Sequence, residues 1–504
     1  MNAAKSSAWQ ISLSAPLLAA ALLFLLALKL AALIAFGPTI VSDSRDYIGY
    51  ADQILSGAFR HVDLTSDAAI PYPPNDPQLT LYRPIGYPAV VAAAKIIAPA
   101  HWATTVVLFQ FAVSLFATAM VYRLARCFGL AGWVSLGVAA AYATSLQFVA
   151  DQAIASDSLC GSTMTIAACV LAEAALRRTP PPRVPLLLAA GTFITVSFLM
   201  RDVIALEVAG LLPLVAAAAF SARGWARRAT AFALVLLPLI GTYVGYMEWN
   251  RARIGDAVIT TVPQWVLLDP LMRASRYDPT LFSGTSPIDE VGRRVAKNYT
   301  LDDSGEANRI LHREYGWTAP QIAHEVTRAY FRAWTHHTGA MIQHVLHFLT
   351  ETQLHQAVRP TETIRDVLLW NTGSDHEFGR ETAVRAGNWW MVPAVIAHHL
   401  FEAISTLVFA AFLLVTPLRL VREGVTAQTA TLAGLWVAYL TCLLMHAAVS
   451  LQPRYLLPFL AGSIVVGAVN IVWLVERWRA RSAARRAHEV ARPTEGSGIT
   501  AGSR

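Results

Sequence analysis

Few residues in this chain could do chemistry, and their placement is uneven. Asp43 and Asp46 fall in the run Ser42-Asp43-Ser44-Arg45-Asp46-Tyr47, directly after a long apolar stretch. Asp151 and Asp157 flank the start of another apolar stretch. Arg83, Arg201 and Arg454 each lie beside an apolar segment. A carboxylate held at the edge of an apolar region can take the proton of an attacking hydroxyl. Guanidinium forks suit the oxygens of a phosphate. Blander roles are open to each of these residues. Asp43 would sit near the start of a short surface helix, where the helix dipole favours a carboxylate. Ser156 or Asp157 could cap the helix that follows, and each arginine could anchor to a lipid head group.

The elements that must position these groups are membrane helices. The chain has 504 residues, 55% hydrophobic and only 14% charged, against about 25% charged in soluble proteins. That balance excludes a disordered chain, a basic nucleic-acid-binding domain and an ordinary cytosolic enzyme. A span needs about 20 apolar residues, and ten runs are predicted to cross: 11–37, 102–124, 131–149, 155–176, 184–199, 203–220, 229–248, 391–415, 428–451 and 455–475. The first run is far longer than a signal-peptide core of about 7–15 residues and is expected to remain as a helix. The run 87–100 is short and broken by Pro88 and Pro99, so it is expected to lie at the surface or re-enter. With ten spans, the arginines of one set of connections (Arg123, Arg126, Arg177, Arg178, Arg183, Arg223, Arg227, Arg228, Arg419, Arg422) and of the basic tail from Arg477 share one side. That is the positive-inside pattern, and it explains the net charge of +7 as topology. Both termini are then expected in the cytoplasm. The exceptions, Arg201 and Arg454, fall with Asp43 and Asp157 on the outer side.

Two outer segments remain, 38–85 and 249–390. The second is far longer than an ordinary loop and is expected to be folded or functional; within it, 323–351 has helical and aromatic character that suits the membrane interface. The tail beyond 477 is basic and then rich in Gly, Ser and Thr, which predicts disorder and contact with anionic lipid. The expected organisation is 1–248 as an N-terminal membrane module, 249–390 outside, 391–476 as C-terminal spans and 477–504 as the tail.

Other polar residues are less telling. Lys29, deep in the first run, could snorkel outward or reach a phosphate. His336, His337, His344 and His347 fall on one predicted helix; His337, His344 and His347 would share a face, which suits an interfacial polar face better than a metal. His398, His399 and His446 would line the outer cavity or make interhelical hydrogen bonds. Cys127, Cys160, Cys169 and Cys442 lie in or beside apolar runs, and are read as buried thiols without a disulfide or a cysteine-based zinc site. Asn298-Tyr299-Thr300 fits a short glycosylation pattern. No phosphate-cradling glycine loop, serine elbow or metalloprotease helix is present.

The order of motifs resembles the GT-C glycosyltransferases, which include dolichyl-phosphate-mannose protein mannosyltransferase-like and aminoarabinose transferase-like proteins. Asp43-Ser44-Arg45-Asp46-Tyr47-Ile48-Gly49-Tyr50-Ala51 with Gly57 is similar to their DSxxYxxxA…G element. Arg83-Pro84-Ile85-Gly86-Tyr87-Pro88 is similar to RxPGYP, and Ser156-Asp157 stands where Ser/Thr-Glu is commoner. Arg201 and Arg454-Tyr455-Leu456-Leu457-Pro458 resemble the later R and RYLLP elements. The resemblance implies an all-α polytopic fold of about ten membrane helices (nine to thirteen), with an outer juxtamembrane helix and a larger outer segment. It implies transfer, with inversion, of a sugar from a polyprenyl-phosphate donor to a lipid, glycan or protein on the extracytoplasmic face. By carry-over Asp43 is the base, with Asp46 as rival; Asp157 orients the acceptor, helps hold a metal or shares the proton work. Arg83, Arg201, Arg454 and Tyr455 would hold the donor phosphate. Some relatives bind a divalent ion, and no complete ligand set is legible here. The composition favours a bacterial inner membrane. A flippase or transporter would instead place charges near mid-membrane, and a glycan ligase or polymerase would place its key residues in a late outer loop.

Overall fold

The computed structural model describes residues 3–41, 43–60, 62, 64, 79–176, 183–220, 224–297, 301–351 and 403–490. Among these residues the fold is all-α, and the β pairing is confined to an isolated parallel bridge between Thr39 and Ala153. The principal helices are α1 (Ala3–Phe36), α2 (Ser44–Ser56), α3 (Gly86–Ile97), α4 (Trp102–Cys127), α5 (Gly132–Ala143), α6 (Asp157–Leu176), α7 (Arg183–Met200), α8 (Ile204–Phe220) and α9 (Trp225–Ile254). They continue with α10 (Ala319–His336), α11 (Thr338–Glu351), α12 (Ala427–Ala447) and α13 (Leu457–Val490).

Among the described residues, seven helices are long and apolar enough to cross a membrane: Ala15–Ala35, Pro99–Cys127, Asp157–Leu176, Trp225–Ile254, Ala403–Glu423, Ala427–Ala447 and Arg454–His488. Helices stand at the other three expected places but are shorter: Gly132–Ala143, Val184–Met200 and Ile204–Ala219. The run 131–149 is not one span. Its helix α5 has 12 residues, about 18 Å, against a hydrocarbon core of about 30 Å. The chain breaks at Thr144 and Ser145, restarts as Leu146–Ala150 with Ser145 as its N-cap, and then runs without regular helix to Ser156.

The bundle is organised around α6, whose residues are buried from Asp157 to Ala175 by α4, α7, α8 and α13. A helix apolar on every side reads the same way in sequence whether it faces lipid or protein; here it faces protein. The segments 263–297 and 301–351 fold as a smaller helical unit with its own apolar core, which includes Leu268, Leu271, Phe282, Ile322, Val326 and Tyr330. The stretch 323–351 is two helices, α10 and α11, and its apolar face closes that core. The histidines therefore do not share a helix: α10 ends at His336, and His337 is its C-cap. His337 Nδ1 meets Asp278 at 2.7 Å and His344 Nε2 meets the Val449 carbonyl at 3.3 Å, so the two serve different contacts. None of the four cysteines is in a disulfide, and Cys127 is exposed rather than buried. His398, His399, the pattern at Asn298 and the tail beyond 490 lie outside the described residues.

Candidate active site

The bridge that follows α1 sets the site. The Thr39 N–H donates to the Gln152 carbonyl and the Ile154 N–H to the Thr39 carbonyl, each at 2.9 Å. This ties the start of α2 to the start of α6, 113 residues later in the chain (157 less 44). Helix α2 buries Tyr47, Tyr50 and Ala51, at i, i+3 and i+4. The Tyr47 hydroxyl meets Ser156 Oγ at 2.7 Å, and its ring meets the edge of Tyr87 with centroids 4.8 Å apart. The start of α3 lies against the end of α7: a Cβ on Gly86 would stand 2.5 Å from the Leu199 carbonyl oxygen. Only glycine allows that approach, which places Arg83 and Arg201 on neighbouring ends.

Arg83, Arg201 and Arg454 meet Asp43, Asp46 and Asp157 in one cluster. Arg83 Nη2 donates to Asp43 Oδ1 and to Asp46 Oδ2, both at 2.8 Å, and its Nε reaches Asp46 Oδ2 at 3.0 Å. Arg454 Nη1 donates to Asp43 Oδ2 at 3.3 Å and lies 3.9 Å from Asp157 Oδ2. Arg201 Nη1 donates to Asp157 Oδ1 at 2.8 Å. Tyr455 lies beneath two of the cations, its ring 4.6 Å from the Arg201 guanidinium and 5.3 Å from that of Arg454. Asp157 and Arg454 form the floor at 5% and 6% side-chain exposure, while Asp43 and Asp46 keep 23% and 26%. Asp43 occupies the N-cap position of α2, but its side chain caps nothing; it is spent on arginines.

Electrostatics separate the two aspartates of α2. Burial alone would raise the Asp43 carboxyl; Arg83, then Arg454 and Arg201, outweigh it and hold it at about 2. Asp46 is raised above its ordinary value because burial outweighs its single partner, Arg83. Burial would lower Arg83, but Asp43 and its neighbours hold it well above the usual range. Tyr47 is pushed up to about 12 by burial and stays a neutral hydroxyl. Each carboxylate is already committed to an arginine. A divalent ion would have to displace a guanidinium there, so this donor set does not fit a resident metal.

Beneath the cluster lies a polar network that sequence reasoning assigned differently. Lys29 neither snorkels nor reaches the arginines. Its Nζ pairs with Asp151 Oδ2 at 2.5 Å, both side chains fully buried, and lies 4.9 Å from the Phe148 ring centroid. Asp151 Oδ1 also accepts from Gln147 Nε2 at 2.6 Å and Ser158 Oγ at 2.5 Å. Gln110 Nε2 donates to the Asp151 and Ala153 carbonyls at 2.9 Å, and its Oε1 accepts from Tyr87. These groups satisfy the non-helical stretch 151–156, whose backbone would otherwise be unpaired inside the bundle. The break at Ser145 and the polar spacing of Gln147 and Asp151 were the signals for it. His446 does make an interhelical bond, 2.8 Å from Nε2 to Glu207 Oε1.

The fold defines a polytopic membrane protein, and paired aspartates and arginines gather at the ends of its helices. No protein-family model matches the chain, and no curated protein matches it. Its structure is similar to the apo oligosaccharyltransferase of Archaeoglobus fulgidus at 14% identity and a TM-score of 0.48, covering 94% of this chain and 52% of that one. This chain thus spans about half the length of that enzyme. It is also similar to ArnT of Cupriavidus metallidurans in the apo state, at 14% identity and a TM-score of 0.32 over 85% of this chain and 77% of that one. ArnT bound to undecaprenyl phosphate aligns at the same identity and score over 84% and 77%.

Proposed function

We propose that this chain is an integral membrane glycosyltransferase of the GT-C type, moving a sugar from a polyprenyl-phosphate carrier to a hydroxyl of a lipid, glycan or protein. The observation that carries the reading is the convergence of Asp43, Asp46, Arg83, Asp157, Arg201 and Arg454, drawn from distant parts of the chain, into one charge-balanced cluster at helix ends. A polyprenyl tail is soluble only in the bilayer, so its phosphate must be met at the boundary. The arginines supply forks for that phosphate and stabilise its charge as it leaves.

In the reaction the acceptor oxygen attacks the anomeric carbon, and the bond from that carbon to the phosphate oxygen breaks. The electron pair leaves with the phosphate, and the acceptor proton passes to a carboxylate. One such displacement inverts the anomeric centre. Asp43 is the base in this reading, because it alone touches both Arg83 and Arg454. Those same cations depress its affinity for a proton. A donor phosphate that draws them away raises that affinity, so donor binding itself makes Asp43 a better base. Asp46 steadies Arg83, and Asp157 on Arg201 orients the acceptor. The positive-inside pattern supports an extracytoplasmic site with both termini inside, and the composition favours a bacterial inner membrane. A flippase reading is weaker: the Lys29–Asp151 pair is sealed and mutually neutralised, which leaves a passing head group nothing to bind.

The test is binding of undecaprenyl phosphate, without sugar, to the purified protein in detergent. Arg83→Ala, Arg201→Ala and Arg454→Ala are each expected to weaken it about tenfold or more. Binding that is indifferent to all three would remove the phosphate site.

A further inference from the structure

Behind Tyr455, the outer ends of α8 and α12 bring three different metal-ligating groups together. Glu207 lies on the first turn of α8, and Cys442 and His446 lie four residues apart on α12, on one face. One donor atom from each, a carboxylate oxygen, the Cys442 Sγ and an imidazole nitrogen, lies within 4.8 Å of the others, and all three residues are buried. The helices are unusually close here, because a Cβ on Gly210 would stand 2.8 Å from the Thr441 Cβ and 3.0 Å from the Ala438 Cα. Glu207 is 1% exposed; its Oε1 meets His446, and apart from the weak thiol of Cys442 no donor reaches the other oxygen of the carboxylate. A buried carboxylate oxygen left in this state is costly unless something else occupies it.

We propose that Glu207, Cys442 and His446 bind a single zinc-class divalent cation. A thiolate, an imidazole and a carboxylate form a donor set suited to zinc. Bonds of about 2.0–2.3 Å in tetrahedral geometry put donor atoms roughly 3.3–3.8 Å apart, so a pair at the 4.8 Å limit has to close by only about 1–1.5 Å. Zinc binding takes a thiolate and a neutral imidazole and releases the protons they held. A dication with one carboxylate, one thiolate and a neutral imidazole sums to zero, so the loaded site buries no net charge. The Tyr455 carbonyl, which accepts from Cys442 Sγ at 3.4 Å, or a water is at hand for the fourth position. The site lies apart from the aspartate cluster but shares Tyr455 with it, whose ring stacks on His446 at 4.8 Å. It does not depend on the transferase reading.

The experiment loads the full-length protein in detergent with Co²⁺ and follows its absorption. One cobalt per chain is expected, with thiolate-to-cobalt charge transfer and the visible bands of a tetrahedral ion, displaced by Zn²⁺. Cys442→Ser should abolish the charge-transfer band, and Glu207→Gln should weaken binding at least tenfold. Cys127→Ser, which removes the exposed thiol, should leave both unchanged. X-ray absorption of the wild-type zinc form needs no variant and should show one sulfur with nitrogen or oxygen neighbours. A band that survives Cys442→Ser, affinity unmoved by Glu207→Gln, or a zinc environment without sulfur would overturn the site.

Discussion

Asp43 and Asp46 lie three residues apart on one short helix, yet they are different acids. Asp43 is pulled down to about 2 by three arginines, and Asp46 is pushed up by burial. A base must be deprotonated, so activity falls as pH drops through its value in the free enzyme, which kcat/KM reports. With Asp43 as base, kcat/KM should stay flat from neutrality down to about pH 4; an acid limb already above that would assign the role to Asp46. Arg83→Lys should lower kcat/KM by about 10²-fold, because an ammonium cannot span two carboxylates, or a phosphate, as the fork does; an Arg83→Lys enzyme of normal efficiency would reduce Arg83 to a point charge. The sequence already marked these residues as conspicuous, since charges are rare in this chain. It could not reveal how they pair. Lys29 and Asp151 are 122 positions apart, and no local pattern joins them.

The helices were legible where apolar length alone decides, as in α1, α6 and α12. The run 131–149 was not, because its break at Thr144 and Ser145 contains neither proline nor glycine, and the polar residues that stabilise the unwound stretch come from α1 and α4. That stretch carries Asp157 to the cluster, so its support is a matter of architecture. Lys29→Met should leave Asp151 as a lone buried charge and cost about 3–5 kcal/mol, seen as a lower thermal midpoint in detergent. Lys29→Met/Asp151→Asn removes the charge while keeping acceptors for Gln147 and Ser158, and should recover more than half of the loss. A double variant no better than the single would mean that the pair acts through packing instead.

Across the whole molecule the cluster gathers at one end of the bundle. Helix α1 ends there at Phe36, and Arg454 stands there just before α13 begins. At the same end Arg253, near the finish of α9, donates to the Phe59 carbonyl at 2.8 Å. Arg227 lies on the first turn of α9, about 39 Å away along the helix. In a Cys127→Ser background, Arg45→Cys and Arg227→Cys should therefore react with an impermeant thiol reagent from opposite faces of the membrane; labelling from one face would overturn the orientation. The side-by-side order of membrane runs, arginine bias and short motifs was readable in sequence. The folding of 263–297 and 301–351 around their own core was foreseen only as an unusually long segment, because their helices bury their faces against one another.

Sugar transfer from a polyprenyl phosphate is the activity proposed for the Asp43–Arg83–Arg454 cluster, and turnover tests it directly. Purified protein supplied with a panel of polyprenyl-phosphate sugars and acceptors should release polyprenyl phosphate and form a glycoside of inverted anomeric configuration. Asp43→Asn, stably inserted, should be slower by about 10²–10⁴-fold. An Asp43→Asn protein that transfers sugar at the wild-type rate would contradict the account.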